Sequence, residues 1–136
     1  MVQKSIVIKK EIKKLQEQLE QLPTVYEAPT NHYFKDGMYC RETFTHADTM
    51  LVGATHKKAS FNILTEGEVI VSDGVKEVKL KAPQIFVSDP GSQKVAYCIT
   101  DTIMVNVFRT DATSVEEAEQ ELYEEELYKE NRICQQ

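Results

Sequence analysis

The chain has 136 residues, 41% hydrophobic and 28% charged, enough for one domain with a real core. No apolar run approaches the roughly 18 residues of a membrane span, and the N-terminus lacks the pattern of a secretory signal. The net charge of −6 offers no broad basic face, which argues against duplex nucleic acid as a partner.

The N-terminal segment is the most basic part, with five Lys and three Glu over residues 1–22. Ile8, Ile12, Leu15, Leu19 and Leu22 recur at spacings of 4, 3, 4 and 3. This is the seam of a heptad helix over 4–22, stopped by Pro23. The seam is short for an independent coiled coil. It either packs on its own domain or pairs with a copy from another subunit. Its narrowness favours a homo-oligomer, joined through this helix and the barrel edge. Residues 24–36 read as a connection, with at most a short strand at Val25-Tyr26.

From Met38 the pattern becomes β. Strands are expected at Met38–Thr45, Thr49–Ala54, Phe61–Leu64, Glu68–Ser72, Lys76–Lys81, Gln84–Ser88, Lys94–Thr100 and Ile103–Arg109. Asp73-Gly74 signals a two-residue hairpin, and Glu66-Gly67 and Asp89-Pro90-Gly91 mark further turns. Many short strands at regular spacing mean a sandwich or barrel. Ser114 and Glu117 then form a capping box ahead of a helix over residues 115–130. Its apolar stripe is Val115, Ala118, Leu122, Tyr123 and Leu127, and its glutamates form a solvated face. The chain thus divides into an N-terminal amphipathic helix (1–23), a β-barrel (24–110) and an acidic helix (111–136), all in one structural domain. Cys40, Cys98 and Cys134 form no metal or disulfide pattern, which suits a reducing cytoplasm. Cys40 and Cys98 fall in strands as buried small hydrophobes.

The motifs that carry chemistry lie within the strands. Gly53, His56, Gly67, Pro90 and Gly91 stand in an order that resembles the two motifs of the cupins. The resemblance implies a mainly β, double-stranded β-helix (jelly-roll) barrel. Cupin motifs supply three histidines and a glutamate to a divalent metal. Here Lys58 and Lys94 occupy histidine places, and the glutamate place falls near Ser60 or Asn62. His56 is the only remaining candidate ligand, and one imidazole does not make a metal site. No metal or other cofactor is therefore expected. The longer strings HYFKDGMYCRETF, HKKASFNILTEGEV and KAPQIFVSDPGSQKVAY resemble a family of small cupin-like proteins of tailed bacteriophages, over roughly residues 5–130. That resemblance implies a phage protein in the cytoplasm of the infected host cell, or in the virion. Relatives usually carry histidines where Lys58, Ser60 and Phe108 stand, so their metal chemistry does not transfer.

Alternate residues on a strand share a face. A regular strand would place His56, Lys58, Ser60 and Asn62 on one side, with Lys94, Asn106 and Phe108 approaching and Arg41 and Tyr39 entering from the first strand. Lys57 could add a further ammonium. Such a set suits a small anionic, nucleotide-like molecule. The alternative structural reading lets the lysines reach out to solvent and gives His56 an ordinary core hydrogen bond. No nucleophile elbow, Walker loop, HExxH or GxGxxG is present. Three functions follow. The first is a non-enzymatic phage protein that binds the anion and sequesters a host defence signal. The second is a metal-dependent cupin isomerase or dioxygenase. The third is a virion structural or assembly protein with a vestigial pocket.

Overall fold

Asp36-Gly37 suits a tight hairpin turn, which needs positive φ at both central residues. The computed structural model, which describes residues 28–124, places them at φ 46° and 79°. The turn joins β1 (Thr30–Lys35) to β2 (Met38–Thr45), with Lys35 paired to Met38. So part of the expected connection over 24–36 is a strand. Most of β1 is exposed, so its sequence carries no polar–apolar alternation to mark it. The N-terminal heptad segment and Val25-Tyr26 lie outside the described residues.

The other strands are β3 (Thr49–Val52), β4 (Ser60–Glu66), β5 (Glu68–Ser72), β6 (Glu77–Lys81), β7 (Gln84–Ser88), β8 (Val95–Cys98) and β9 (Thr102–Arg109). They form a five-stranded sheet, β1-β2-β9-β4-β7, and a four-stranded sheet, β3-β8-β5-β6. Every pairing is antiparallel. The hairpin at Asp73-Gly74 exists, but its loop spans residues 73–76 rather than two. The Asp73 carboxylate accepts the N–H groups of Val75 (2.9 Å) and Lys76 (2.8 Å), which holds the wider turn. Gly67 between β4 and β5 must be glycine. Its φ is +98°, and a Cβ there would lie 2.4 Å from the Asp101 carbonyl oxygen.

Two apolar clusters fill the space between the sheets. One holds Leu64, Val69, Val71 and Cys98, with Leu51, Phe86 and Met104 packed against it. The other holds Tyr39, Ala54 and Phe108 together with Ala118, Leu122 and Tyr123. The last three come from α1 (Val115–Leu122) and the residue that ends it. Ser114 caps this helix, accepting the Glu117 N–H at 3.2 Å. The helix stops at Leu122, because Tyr123 turns extended (φ −120°, ψ 146°) and pairs with His56 as an isolated bridge. The expected continuation to residue 130 therefore breaks at 123, and Leu127 lies outside the described residues. Glu119 is buried rather than solvated. Among the described residues, no helix is long and apolar enough to cross a membrane.

Candidate functional site

The two halves of the motif meet through backbone. Gly53 N–H donates to the Lys94 carbonyl (2.9 Å), His56 N–H to the Ser92 carbonyl (2.9 Å), and Gly91 N–H to the His56 carbonyl (2.7 Å). Gln93 Nε2 adds a bond to the Gly53 carbonyl (3.0 Å). These bonds hold His56 and Lys94 on neighbouring walls of one cavity of about 110 Å³.

The cavity lies between the two apolar clusters and is lined by residues of both sheets. Across its five-stranded wall, Arg41 pairs with Asn106 and Asn106 with Asn62. Asn106 Nδ2 donates to Asn62 Oδ1. Asn62 Nδ2 donates to Ser88 Oγ (2.8 Å), which also accepts Lys94 Nζ (2.9 Å). With two donors already on its oxygen, the Ser88 hydroxyl keeps its own hydrogen to give. Arg41 donates to the Tyr123 hydroxyl oxygen (2.8 Å), so that hydroxyl also has a hydrogen to offer. Leu51, Val69, Val71, Ala96 and Met104 make the remaining wall apolar.

The charged groups on the lining are of one sign, with carboxylates only behind it. Arg41 and Lys94 line the cavity, and no Asp or Glu does. Burial disfavours the Arg41 charge, but Tyr123, Tyr39 and Glu119 outweigh it and hold the group above its ordinary value. Burial pulls the Lys94 ammonium down, with Asp73 and Asp89 opposing. Burial, Lys94 and Arg41 together push His56 down to about 4, so at neutral pH it is an uncharged imidazole.

Five of the expected residues meet at this cavity: Arg41, His56, Asn62, Lys94 and Asn106. Ser60 stands behind His56, with Oγ 3.3 Å from Nδ1. Tyr39 and Phe108 are buried in the aromatic cluster instead of lining the cavity. Tyr39 stacks on Phe34 at 4.4 Å, and its hydroxyl meets His32 Nδ1 at 2.7 Å. Lys58 lies outside. Residues 53–59 leave the ladder after Val52, so the alternation that would have aimed Lys58 inward does not hold. Its Nζ bonds Glu121 at 2.6 Å, and Lys57 Nζ donates to the Gln120 carbonyl at 3.0 Å. Both lysines fasten the end of α1. Cys98 is buried, but Cys40 is only half-buried, because the odd register of β2 turns it to the outer face of the sheet.

Ser88 and Ser92, and Tyr123, which the sequence placed on the apolar stripe of a helix, line the cavity without having been expected there. Ser88 shares the inward parity of Phe86 on β7, a signal that was available. Tyr123 had no such signal, since neither Gly nor Pro follows Leu122 to mark the helix end.

Among the described residues, no three His, Cys, Asp or Glu side chains are placed to hold a metal ion. His56 instead faces Phe108 (5.7 Å) and Tyr123 (5.3 Å) between ring centroids, with two cations nearby. These residues do not fit a divalent cation.

The barrel shape is shared with solved structures. Ectoine synthase from P. lautus aligns with a TM-score of 0.59 and 15% identity, over 81% of this chain and 83% of that one. An RmlC-like cupin from Shewanella frigidimarina aligns at 0.54 and 23% identity, over 65% and 78%. The fold is that of a cupin. Salicylate 1,2-dioxygenase from Pseudoaminobacter salicylatoxidans aligns at 0.58 and 18% identity over 81% of this chain, which spans only 32% of the dioxygenase. No protein-family model and no curated protein matches the sequence. Proteins of this cupin shape thus include enzymes, and the shape alone does not assign an activity.

Proposed function

We propose that the barrel is a binding site for a small anion and that it holds the ligand without turning it over. The observation that carries this reading is the pairing of Arg41 and Lys94 on a cavity whose lining has no carboxylate. Glu119 and the tyrosines act on Arg41, and Asp73 and Asp89 on Lys94, from outside the lining, so an anion that enters the cavity meets both cations with no carboxylate competing there. The donors of Ser88 and Tyr123 suit a phosphate or carboxylate head group. The apolar wall suits a short hydrocarbon or sugar portion beyond it. A cavity of about 110 Å³ is well below the roughly 300–1,000 Å³ of drug-sized pockets. A nucleotide-like ligand would therefore enter head first. In the phage setting that the sequence resemblance implies, such a protein would sequester a host signal of that kind. Metal-dependent turnover is the less supported reading, because His56 stands alone among cations and aromatic rings.

Isothermal titration against inorganic phosphate, short carboxylates, nucleotides and cyclic nucleotides tests the proposal. One class should bind with one site per chain, and Lys94→Met should weaken it about tenfold or more, the worth of a lost charge-assisted hydrogen bond. If none of the panel binds, or if Lys94→Met leaves the affinity of a hit unchanged, the reading is wrong.

A further inference from the structure

The cavity differs at its two ends. Three strands line it in step: Arg41, Thr43 and Thr45 alternate along β2, Asn106, Met104 and Thr102 along β9, and Lys94, Ala96 and Cys98 along β8 and the residue before it. The register pairs Arg41 with Asn106, Thr43 with Met104 and Thr45 with Thr102. Thr102 reaches across to the other sheet, donating to Cys98 Sγ at 3.4 Å, so both sheets run in the same order. Each passes from a cation to hydroxyl or thiol groups over about 14 Å of strand. Hydrogens separate the ends further. At the cation end Arg41 and Lys94 donate, and the hydroxyls of Ser88 and Tyr123, which already accept, keep a hydrogen to give. Ser92, whose carbonyl receives the His56 N–H, adds a buried hydroxyl with no hydrogen-bond partner among the described residues. At the far end the hydrogens are already engaged. Thr30 gives its own to the Ala28 carbonyl (3.0 Å), so in the 3.4 Å contact between Thr30 and Thr43 it is Thr43 that donates. Thr102 gives its hydrogen to sulfur. Both of these buried oxygens therefore keep lone pairs for an incoming donor.

We infer that the ligand is an anion whose far end carries a neutral hydroxyl group, with the charge against Arg41 and Lys94 and the hydroxyl donating to Thr43 or Thr102. This rests on the anion reading of the cavity and narrows it. The far end holds no charge of its own: no Asp or Glu lines the cavity, and burial pushes the Cys98 thiol up, so the sulfur stays protonated. A plain alkyl end would leave the lone pairs of both threonine oxygens unmet. An ammonium end would be a third cation in a cavity with no carboxylate to meet it. A hydroxyl supplies the donor without the charge.

Matched probes of equal length test it by isothermal titration of the full-length protein. For a carboxylate head they are 4-hydroxybutyrate, pentanoate and 4-aminobutyrate; for a phosphate head, 3-hydroxypropyl phosphate and butyl phosphate. With the head group that binds, the hydroxyl member should be about threefold or more tighter than its methyl counterpart, and 4-aminobutyrate should be the weakest of the carboxylates. Thr43→Val/Thr102→Val keeps the shape of both side chains and should bring the hydroxyl and methyl members level. Lys94→Met should weaken both members alike. Equal binding of the two members to the unaltered protein overturns the inference and leaves the anion reading standing, as does a preference that survives the double valine variant. No binding by any of these probes also overturns it; where inorganic phosphate and the nucleotides fail as well, the anion reading falls with it.

Discussion

His56 shows what the surroundings do to one side chain. Its imidazole is held near 4 by burial and by Lys94 and Arg41, against about 6.5 in an unfolded chain. Above pH 6.5 both states are neutral and the residue adds nothing to pH dependence. As pH falls from about 6.5 to 4 the unfolded chain takes up a proton that the native state refuses. Stability therefore drops, by on the order of 3 kcal/mol in total. Urea unfolding at pH 7 and pH 5 should show the loss, and His56→Gln should flatten it. A bound anion counters the two cations, so it should raise the His56 value. Two-dimensional NMR of the imidazole with and without ligand reads that shift. Lys94→Met should leave thermal stability equal or higher while weakening anion binding about tenfold or more, since the substitution replaces a partly buried charge with an apolar chain of similar length. Tyr123→Phe takes away the hydroxyl that accepts from Arg41 and should cost about 1–3 kcal/mol, measured by chemical unfolding.

At the scale of elements, the helix after the barrel delivers one residue to the cavity wall, Tyr123, which ends it. Lys57 N–H donates to the Leu122 carbonyl (2.7 Å) and Glu124 N–H to the Thr55 carbonyl (2.9 Å). Lys58–Glu121 and the Thr110–Glu121 bond add side-chain ties. Leu122 is fully buried, so Leu122→Ala should cost about 2–5 kcal/mol in unfolding measurements and should weaken ligand binding as well, by loosening Tyr123. Much of this architecture was legible beforehand. Period-2 runs located eight of the nine strands within a few residues, and the glycine and Pro-Gly positions indicated a cupin barrel. Asn62, Asn106, Lys94, Arg41 and His56 could be placed in the interior from parity or motif position. Parity failed at Lys58 because a strand was assumed to continue where the backbone bends away. It was silent at Tyr123, where a helix end folds back on the barrel through contacts between residues some 65 apart in sequence, which no local pattern encodes.

For the whole molecule, the unusual property is a barrel with polar residues on part of its inner surface and apolar residues on part of its outer one. The polar inner residues line the cavity, and of the outer ones Tyr33, Phe61, Ile85 and Val87 stay more than half exposed. The two faces are the alternate residues of the same strands, so one cannot be shifted in register without the other. The contact between Tyr123 and Arg41 has a further consequence. Tyr123 belongs both to the apolar cluster that seats α1 and to the lining of the cavity. A ligand that prefers the closed cavity must therefore stabilise the docked helix by the same free energy with which docking improves its own affinity. On the proposed reading, the Tyr123 and Glu124 amides, bonded to the Glu119 and Thr55 carbonyls, would exchange with solvent more slowly in the occupied protein than in the empty one, so the cavity's state could be followed from the end of the helix.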